Sequence, residues 1–421
     1  MKILLIMPYP RKRDISFFSR AISPCLSLQQ IAALIPDKYD VEIVDERLEK
    51  PDYDAEYDIV GISCMTYNSV RAYNLADTFC KRGIKVVLGG YHPTVMYSEA
   101  KQHADSIVIG EAENTWPQLL RDFEDSKLKS FYISKKLVDP KLIPAAVHNI
   151  EKYKYQKVES IQASRGCPIG CRFCAMQNIE GKKFRGRSIG KVTNELQFID
   201  KKNIFFTDAS LTINTDFSKA LFKEMKSLDK CFTGMGNVNI PLKDNDFLKL
   251  ASEAGCKMWL VGLESFSQDT IDSMGKTTNK IGEYKKAIDK FHDYGIKIIG
   301  SFIFGFDQDT KDVFKSTYES IKGIDIDIAE FNILTPIPGT YIFKQFEKEN
   351  RLLTKDWSKY TDDGGEVVFQ PKNMTPEELL EGVNYIYDKF NSFSNNIDRF
   401  VKYKKIDLFS IFRIISKYFN N

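Results

Sequence analysis

The sequence predicts an α/β protein in which two parallel β-sheets follow one another along the chain. Two observations indicate this class: apolar, β-rich runs alternate with helix-like runs over residues 1–125, and the alternation resumes over residues 158–340. The chain has 421 residues, which is more than one average domain contains. We therefore predict two α/β domains in series, joined by a linker at residues 126–157, which are rich in lysine and contain scattered prolines.

The first series of runs predicts a Rossmann-like, flavodoxin-like parallel sheet with helices on both faces. The predicted strands are residues 2–7, 41–44, 58–64, 85–89 and 106–109, and helical spacing is clearest at residues 28–35 and 71–82. Ligands of such sheets bind beyond the carboxyl ends of the strands. We therefore expect a binding edge in the loops that follow four of these strands, at residues 8–10, 65–68, 90–94 and 110–113.

The second series predicts a partial (β/α)6 barrel of the TIM type, open on one side. Its predicted strands are residues 158–163, 203–208, 232–237, 258–264, 297–306 and 328–334. Reactive groups of barrels gather at the carboxyl ends of the strands. Six aromatic residues near these ends fit either a cavity that excludes water or the barrel core: Phe205, Phe206, Trp259, Phe302, Phe304 and Phe306.

The last part of the chain, residues 341–421, predicts a small helical cap. Thr375 is expected to cap a helix that has Pro376 at its first position and Glu378 at the capping-box position. Residues 399–421 have the period of a basic amphipathic helix. Such a helix packs on the barrel or makes peripheral contact with an anionic membrane, and both interpretations stay open.

The composition indicates a globular protein of the cytoplasm. Hydrophobic residues make up 43% of the chain and charged residues 28%, and the net charge of +3 gives no reason to expect a nucleic acid partner. No apolar stretch reaches the roughly 18 residues that span a membrane, and no signal peptide is visible. The eight cysteines are not spaced as in a secreted disulfide scaffold.

Three of these cysteines form the most informative motif. Cys167, Cys171 and Cys174 are spaced C-x3-C-x2-C in a loop directly after the first predicted barrel strand. Closely spaced thiolates bind soft metal centres, and three ligands are one short of a closed zinc site. The nearest histidine, His148, lies upstream of that strand. The motif therefore predicts a 4Fe-4S cluster with one iron open to an outside ligand.

With its flanks, the stretch SRGCPIGCRFC resembles the radical S-adenosylmethionine (SAM) superfamily. The resemblance implies that SAM chelates the open iron and that reduction of the cluster cleaves SAM to a 5′-deoxyadenosyl radical. It also implies SAM contacts at Phe173, Asp208, Glu264 and Asn332. The alternatives are that Phe173 packs within the loop, that Asp208 is the N-cap of a helix and that Asn332 has a structural role. Glu264 must meet a partner, because an unpaired buried carboxylate is costly.

The stretches MTYNSVRAYNLAD, VVLGGYHPT and VIGEAENTWPQLL resemble the cobalamin-binding domain fused to many radical SAM enzymes. This implies cobalamin contacts at the predicted binding edge: Tyr9, Ser63, Met65, Thr66, Asn68, Gly89, Gly90, His92, Gly110 and Glu111. The Asp-x-His-x-x-Gly motif is absent, so no protein histidine is expected below the cobalt, and a front domain without cobalamin stays an alternative. We interpret Cys25, Cys64 and Cys80 as core thiols rather than ligands of a second cluster.

The order of motifs over about residues 1–380 is similar to the branch that includes hopanoid-biosynthesis and Mg-protoporphyrin cyclase enzymes, the class B methylases. The resemblance implies a cobalamin-dependent methyltransferase acting on an unactivated carbon of a small or lipid-like substrate. A rearrangement, cyclisation or oxidation without methyl transfer is the alternative. An electron donor such as flavodoxin or ferredoxin is implied as a partner. The sequence does not decide whether Arg165, Arg185 and Arg187 are solvated or face a phosphate.

Overall fold

The computed structural model describes residues 1–10, 24–154, 156–361 and 365–392. Its first sheet has six strands, all parallel, in the order β2-β1-β3-β4-β5-β6. The strands are β1 (Lys2–Met7), β2 (Asp40–Asp45), β3 (Ile59–Ser63), β4 (Lys85–Gly89), β5 (Ser106–Ile109) and β6 (Phe131–Ile133). The order reverses between β1 and β3, which is where sheets of the flavodoxin type bind ligands.

Strand β6 lies inside the segment 126–157 that was predicted to be a linker. It pairs with β5 over Ile107↔Phe131 to Ile109↔Ile133, so it belongs to the first sheet. Only its middle residue, Tyr132, is buried. A three-residue edge strand of this kind has too few alternating residues to stand out in the sequence.

Helices cover both faces of this sheet. They are α1 (Leu26–Ala32), α2 (Ser69–Lys81), α3 (Tyr91–Val95), α4 (Tyr97–Ala100) and α5 (Trp116–Glu124). Alternate residues of β1 divide between two cores: Leu4 and Ile6 pack with residues of α2, whereas Ile3 and Leu5 pack with residues of α1 and α5. The period of two in a strand produces this division and confirms the doubly wound fold.

The second sheet is also six-stranded and parallel, in the order β14-β13-β12-β11-β10-β7. Its strands are β7 (Val158–Ile161), β10 (Asn203–Phe206), β11 (Cys231–Met235), β12 (Cys256–Glu264), β13 (Lys297–Phe304) and β14 (Ile328–Ile333). A short antiparallel pair, β8 (Ser164–Arg165) and β9 (Arg185–Gly186), follows β7. Because β7 and β14 are the two edges of the sheet, the predicted partial barrel is confirmed.

Helices lie along the chain between β7 and β14, and most of them pack with the sheet around one hydrophobic core. They are α6 (Gln177–Glu180), α7 (Ile189–Phe198), α8 (Thr215–Met225), α9 (Ile240–Lys243), α10 (Asn245–Glu253), α11 (Gln268–Ser273), α12 (Tyr284–Asp293) and α13 (Val313–Ile324). Most of the six aromatic residues near the strand ends belong to this core. Trp259, for example, packs against Phe247 of α10 and Phe291 of α12. Of the six, Phe205 is the exception, because it lies on the opposite face of β10 from the buried Ile204 and Phe206.

The predicted cap contains α14 (Tyr341–Lys348) and α15 (Pro376–Phe390). Helix α15 has the predicted capping box, in which Thr375 and Glu378 accept each other's backbone N–H groups. It covers the edge strand β14 through a contact between Phe331 and Phe390. The amphipathic segment 399–421 lies outside the described residues. Within the part of the chain that is described, no helix is long and apolar enough to cross a membrane.

Candidate functional site

The cysteine loop lies between β8 and α6, at the carboxyl end of β7, and its backbone is tightly held. Gly166 has φ +86°, and a Cβ at this position would lie 2.1 Å from the carbonyl oxygen of Lys183. The Cys167 N–H donates to the Gly181 carbonyl at 3.2 Å, and the Gln177 side chain donates to the Cys167 carbonyl at 3.0 Å. These contacts fix the loop before any metal binds.

The three thiols of this loop are free, partly exposed and close enough to interact electrostatically. Burial raises the pKa of Cys171 to about 12, while the nearby Lys276 ammonium acts in the opposite direction. Among the described residues, no three His, Cys, Asp or Glu side chains converge to hold a single metal ion. Three thiolates in one short loop can each bind one iron of a 4Fe-4S cluster, whereas a structural zinc site takes four protein ligands.

His148 is not placed to supply a fourth ligand. Its Nε2 lies 2.8 Å from Glu195 Oε1, and its Nδ1 lies 3.5 Å from Glu159 Oε1. Glu159 also accepts a hydrogen bond from Gln29 of α1, so this buried group joins the front domain to the barrel. The histidine therefore has a structural role at the domain junction.

Glu264 ends β12 in a strained backbone conformation beside the cysteine loop. Its φ is +65°, a left-handed region that residues other than glycine rarely adopt. Its carboxylate pairs with the Lys276 ammonium, and both charges act on Cys171 and Cys174. The side chain of Asn279 donates to the Gly262 carbonyl at 2.9 Å and so supports the turn.

No sequence pattern predicts Lys276, because it lies in the loop after α11, and only the chain fold brings it to Glu264. The ion pair is nearly buried, with 11% of the lysine and 6% of the glutamate side chain exposed. A Cβ on Gly262 would lie 2.2 Å from Glu264 Oε1 and 2.4 Å from Lys276 Nζ. A side chain at position 262 would therefore displace the ends of the paired side chains.

The other predicted SAM contacts lie around the same end of the barrel but have protein partners. Asp208 is completely buried and accepts hydrogen bonds from the Ala163 N–H at 3.0 Å and the Ser164 hydroxyl at 2.6 Å. It therefore supports the entry to the cysteine loop, and the N-cap of α8 is Asn214 instead. Phe173 packs edge-on against Phe306, and Asn332 donates to Ser301 at 3.0 Å.

A cavity of about 500 Å³ separates the binding edge of the front sheet from the cysteine loop region. On the barrel side its walls include Arg165, Met176, Ile179, Glu180 and Thr207. On the front side its walls include six of the ten residues predicted to contact cobalamin: Ser63, Met65, Gly89, Gly90, Gly110 and Glu111. The barrel side of this space is thus formed by residues that flank the cysteine loop, whereas the three cysteines and the predicted SAM contacts are not among its lining residues.

The remaining four residues of that prediction do not line the cavity and have structural contacts. His92 is fully buried between Thr66 and Glu99, and Trp357 packs against its ring. Asn68 is also fully buried and donates to the Pro8 carbonyl at 3.1 Å. The Tyr9 N–H donates to Glu46. These side chains hold the loops of the edge together from behind.

The cavity extends into the apolar core of the front domain between the sheet and its helices. The walls of this deep part are formed by residues of four strands and of α5: Leu5, Gly61, Val87, Val108 and Trp116. A Cβ on Gly61 would lie 2.9 Å from Leu5 and 3.1 Å from Trp116. Glycine at position 61 therefore makes room for the side chains of Leu5 and Trp116, which line this part of the cavity.

The arginines whose role the sequence left open are neither solvated nor free to bind a phosphate. Arg165 pairs with Glu111 at 2.9 Å, and Arg185 pairs with the same carboxylate at 2.7 Å. Arg187 pairs with Glu195. Glu111 is predicted to contact cobalamin, but two barrel arginines and the Val138 N–H occupy its oxygens. It fastens the front domain to the barrel.

Comparison with known proteins assigns the class that this geometry indicates. Residues 161–321 match the Radical SAM superfamily, and residues 22–120 match the B12 binding domain. The chain belongs to the radical SAM superfamily, in the branch that carries a B12-binding domain in front of the barrel. Its cofactors are accordingly a 4Fe-4S cluster, SAM and cobalamin.

Curated relatives extend over most of the chain. Bacteriochlorophyllide d C-12(1)-methyltransferase of Chlorobaculum tepidum is 33% identical over 90% of this chain and 85% of its own length. Bacteriochlorophyllide d C-8(2)-methyltransferase of the same organism is 34% identical over 80% of this chain and 78% of its own length. Anaerobic magnesium-protoporphyrin IX monomethyl ester cyclase of Cereibacter sphaeroides is 26% identical over 82% and 61%, respectively.

Among solved structures, the fold is similar to that of the cobalamin-dependent radical enzyme OxsB with aqua-cobalamin bound. The TM-score is 0.71 at 16% identity, over 93% of this chain and 67% of that one. The methyltransferase TsrM of Kitasatospora setae gives a TM-score of 0.69 at 15% identity, over 83% and 76%. Both likenesses concern the fold.

Proposed function

We propose that this enzyme is a methyltransferase that adds a methyl group to an unactivated carbon of a small or lipid-like substrate. The observation that carries the proposal is the cavity between the glycine-rich edge of the front sheet and the residues that flank the cysteine loop. A reaction that uses a radical source and a methyl carrier needs both within reach of one substrate. The fold supplies a space that extends from the front edge to the residues on either side of the cysteine loop, such as Arg165 and Met176.

Residues of the barrel edge match the groups that SAM presents. Cys167, Cys171 and Cys174 would hold the cluster, which supplies the electron that cleaves SAM. The Glu264 carboxylate would accept hydrogen bonds from the ribose hydroxyls, and the Lys276 ammonium would meet the carboxylate of SAM. The buried pair keeps each charge compensated when SAM is absent.

Residues of the front edge match a flat, mostly neutral cofactor. Gly89, Gly90 and Gly110 present backbone rather than side chains to the cavity, which allows close approach of a large ring. The deep apolar part behind Gly61 would take the aromatic base of the cobalamin tail, with cobalamin in its base-off form. His92 is buried in the loop behind this edge, so no histidine ligand from this position is expected below the cobalt.

The relatives support methyl transfer to carbon. Two of them are named as methyltransferases acting at carbons C-12(1) and C-8(2) of bacteriochlorophyllide d. Because another relative is named as a cyclase, one alternative function stays open, in which the radical acts on the substrate without methyl transfer. In either case the enzyme needs an external reductant, for which flavodoxin or ferredoxin is our candidate.

The two functions predict different products from SAM. Reconstituted under anaerobic conditions with iron, sulfide, hydroxocobalamin and a chemical reductant, the enzyme should release 5′-deoxyadenosine and S-adenosylhomocysteine together when a substrate is present. Bacteriochlorophyllide d is a first substrate to offer, because it is named for two relatives. Release of 5′-deoxyadenosine alone during conversion of a substrate would contradict the proposal and favour cyclisation or oxidation.

A second measurement tests the cobalamin site without any substrate. After incubation with hydroxocobalamin and gel filtration, the protein should keep a cobalamin absorption spectrum of the base-off type. A matched control is Cys174→Ala, which should lose the cluster and still keep cobalamin, since Cys174 lies on the barrel side. A protein that leaves the column without cobalamin would contradict the proposed methyl carrier.

A further inference from the structure

One buried tyrosine joins the edge of the front sheet to the cysteine loop region. Tyr91 directly follows Gly89 and Gly90, lines the cavity, and is only 4% exposed. Its hydroxyl donates to the Pro338 carbonyl at 2.7 Å and accepts from the Asn178 amide at 2.9 Å. Tyr91 belongs to the front domain, Asn178 to the helix after the cysteines, and Pro338 to the turn after β14.

Asn178 and Tyr91 are each anchored to one side of the site. Asn178 lies in α6, four residues after Cys174, and its neighbour Gln177 holds the Cys167 carbonyl. Gly90 has φ +102°, and a Cβ there would lie 2.7 Å from the Cys64 carbonyl oxygen, so Tyr91 is fixed against the end of β3. The tyrosine therefore connects two anchored loops.

The surroundings of this junction leave little room for movement. Gly339, directly after Pro338, has φ +88°, and a Cβ there would lie 2.9 Å from Val95 of α3 and 3.1 Å from Asn178. Burial raises the pKa of Tyr91 to about 12, so its hydroxyl keeps the proton that it donates. The front domain, α6 and the turn after β14 therefore pack together around the phenol of Tyr91.

We propose that Tyr91 is a positioning residue that sets the separation between the cobalamin edge of the front domain and the cluster. The inference rests on the proposed function, because it concerns the geometry in which SAM passes a methyl group to the cobalt. Removal of the hydroxyl leaves the buried Pro338 carbonyl without this partner and lets the two edges shift. A shift of about 1 Å is enough to slow a step that depends on alignment by about 100-fold.

The test compares two reactions of SAM that need no substrate. In protein loaded with the cluster and hydroxocobalamin and reduced with titanium(III) citrate, methyl transfer to cobalt releases S-adenosylhomocysteine and depends on the distance between the edges. Cleavage to 5′-deoxyadenosine depends on the barrel edge alone. Tyr91→Phe should slow the first reaction by about 10- to 100-fold and leave the second unchanged. Asn178→Ala, at a partly solvated position, should have a smaller effect in the same direction.

A spectroscopic readout is independent of turnover. Pulsed EPR should give one narrow distance between cob(II)alamin and the reduced cluster in the wild type, and a shifted or broadened distance in Tyr91→Phe. Tyr97→Phe is the matched control, because Tyr97 lies in the same domain and is exposed, and it should match the wild type in both readouts.

The inference is overturned if Tyr91→Phe keeps either the wild-type distance or the wild-type ratio of the two products. Failure of the proposed function would look different, because the wild type itself would then bind no cobalamin or transfer no methyl group from SAM to it.

Discussion

The edge of the front sheet and the edge of the barrel are built on different physical principles. The barrel edge carries thiols and a nearly buried ion pair, Glu264 with Lys276, on a strained strand end. The front edge carries glycines, Ser63 and Met65, with an apolar space behind them. Charge and soft ligands select a cluster and a zwitterionic cofactor, whereas exposed backbone and shape select a flat ring. Substitutions should therefore act at the barrel edge through charge and at the front edge through volume.

The largest effect is expected from removal of a cluster ligand. Cys171→Ala should abolish iron retention and 5′-deoxyadenosine formation, because two thiolates cannot hold the cluster that three would hold. Iron content, the absorption near 400 nm and product analysis measure this. Cys231→Ala is the matched control, since Cys231 begins β11 at the opposite end of the barrel. Full iron content in Cys171→Ala would show that the cluster is held elsewhere.

The next largest effect is expected at the ion pair of the barrel edge. Glu264→Gln leaves the Lys276 ammonium nearly buried without its partner, which should lower the free energy of unfolding by about 3 kcal/mol. It should also weaken SAM binding about 10- to 100-fold through lost hydrogen bonds to a charged group. Calorimetric titration of SAM into the cluster-loaded protein and chemical denaturation measure the two effects.

A double variant separates these two consequences. Glu264→Gln combined with Lys276→Gln leaves no buried charge, so much of the stability should return while SAM binding stays weak. Glu253→Gln is the control, because its pair with Lys226 is exposed and should not influence either property. Recovery of SAM binding in the double variant would contradict the roles assigned to the pair.

The two edges also differ in how far the sequence predicted them. The cysteines, Glu264 and the glycines could be predicted, because motifs of fixed spacing and strand ends are local features of the chain. Lys276 and Tyr91 could not, because their partners lie far away in the sequence, as Pro338 does from Tyr91. The cobalamin contacts predicted at His92 and Asn68 stay predictions, and both side chains are fully buried and absent from the walls of the cavity. A loop motif names the residues of an edge but does not say which of them face the ligand and which support it.

Volume rather than charge should decide the behaviour of the front edge. Gly90→Ala places a Cβ 2.7 Å from the Cys64 carbonyl oxygen at φ +102°, and the strain should cost about 1–3 kcal/mol of folding free energy. Cobalamin retention after gel filtration should fall, while the iron content of the reconstituted protein should not. Gly190→Ala is the control, since it lies in α7 with open space around it, and it should be neutral or slightly stabilising.

The last effect appears only as a change with pH and tests whether the barrel edge holds its carboxylates at a cost. Burial raises the pKa of Asp208 from 3.8 to about 6, although Ser164 and Ala163 donate hydrogen bonds to it. An acid whose pKa is higher in the folded state stabilises the protein below its unfolded pKa, and this stabilisation is lost as the pH rises towards 6. The shift corresponds to about 3 kcal/mol at most.

Asp208→Asn removes this dependence, because asparagine is neutral at every pH. Measured on cofactor-free protein, the stability of the variant relative to the wild type should therefore rise from pH 4 to pH 6 and stay level above that. Asp309→Asn should behave similarly, since burial also raises the pKa of Asp309 to about 6. Asp216→Asn, at an exposed position, should show no such trend. If the difference in stability between Asp208→Asn and the wild type does not change from pH 4 to pH 6, the pKa of Asp208 is not raised by folding. The barrel edge would then stabilise an ionised carboxylate as well as water does.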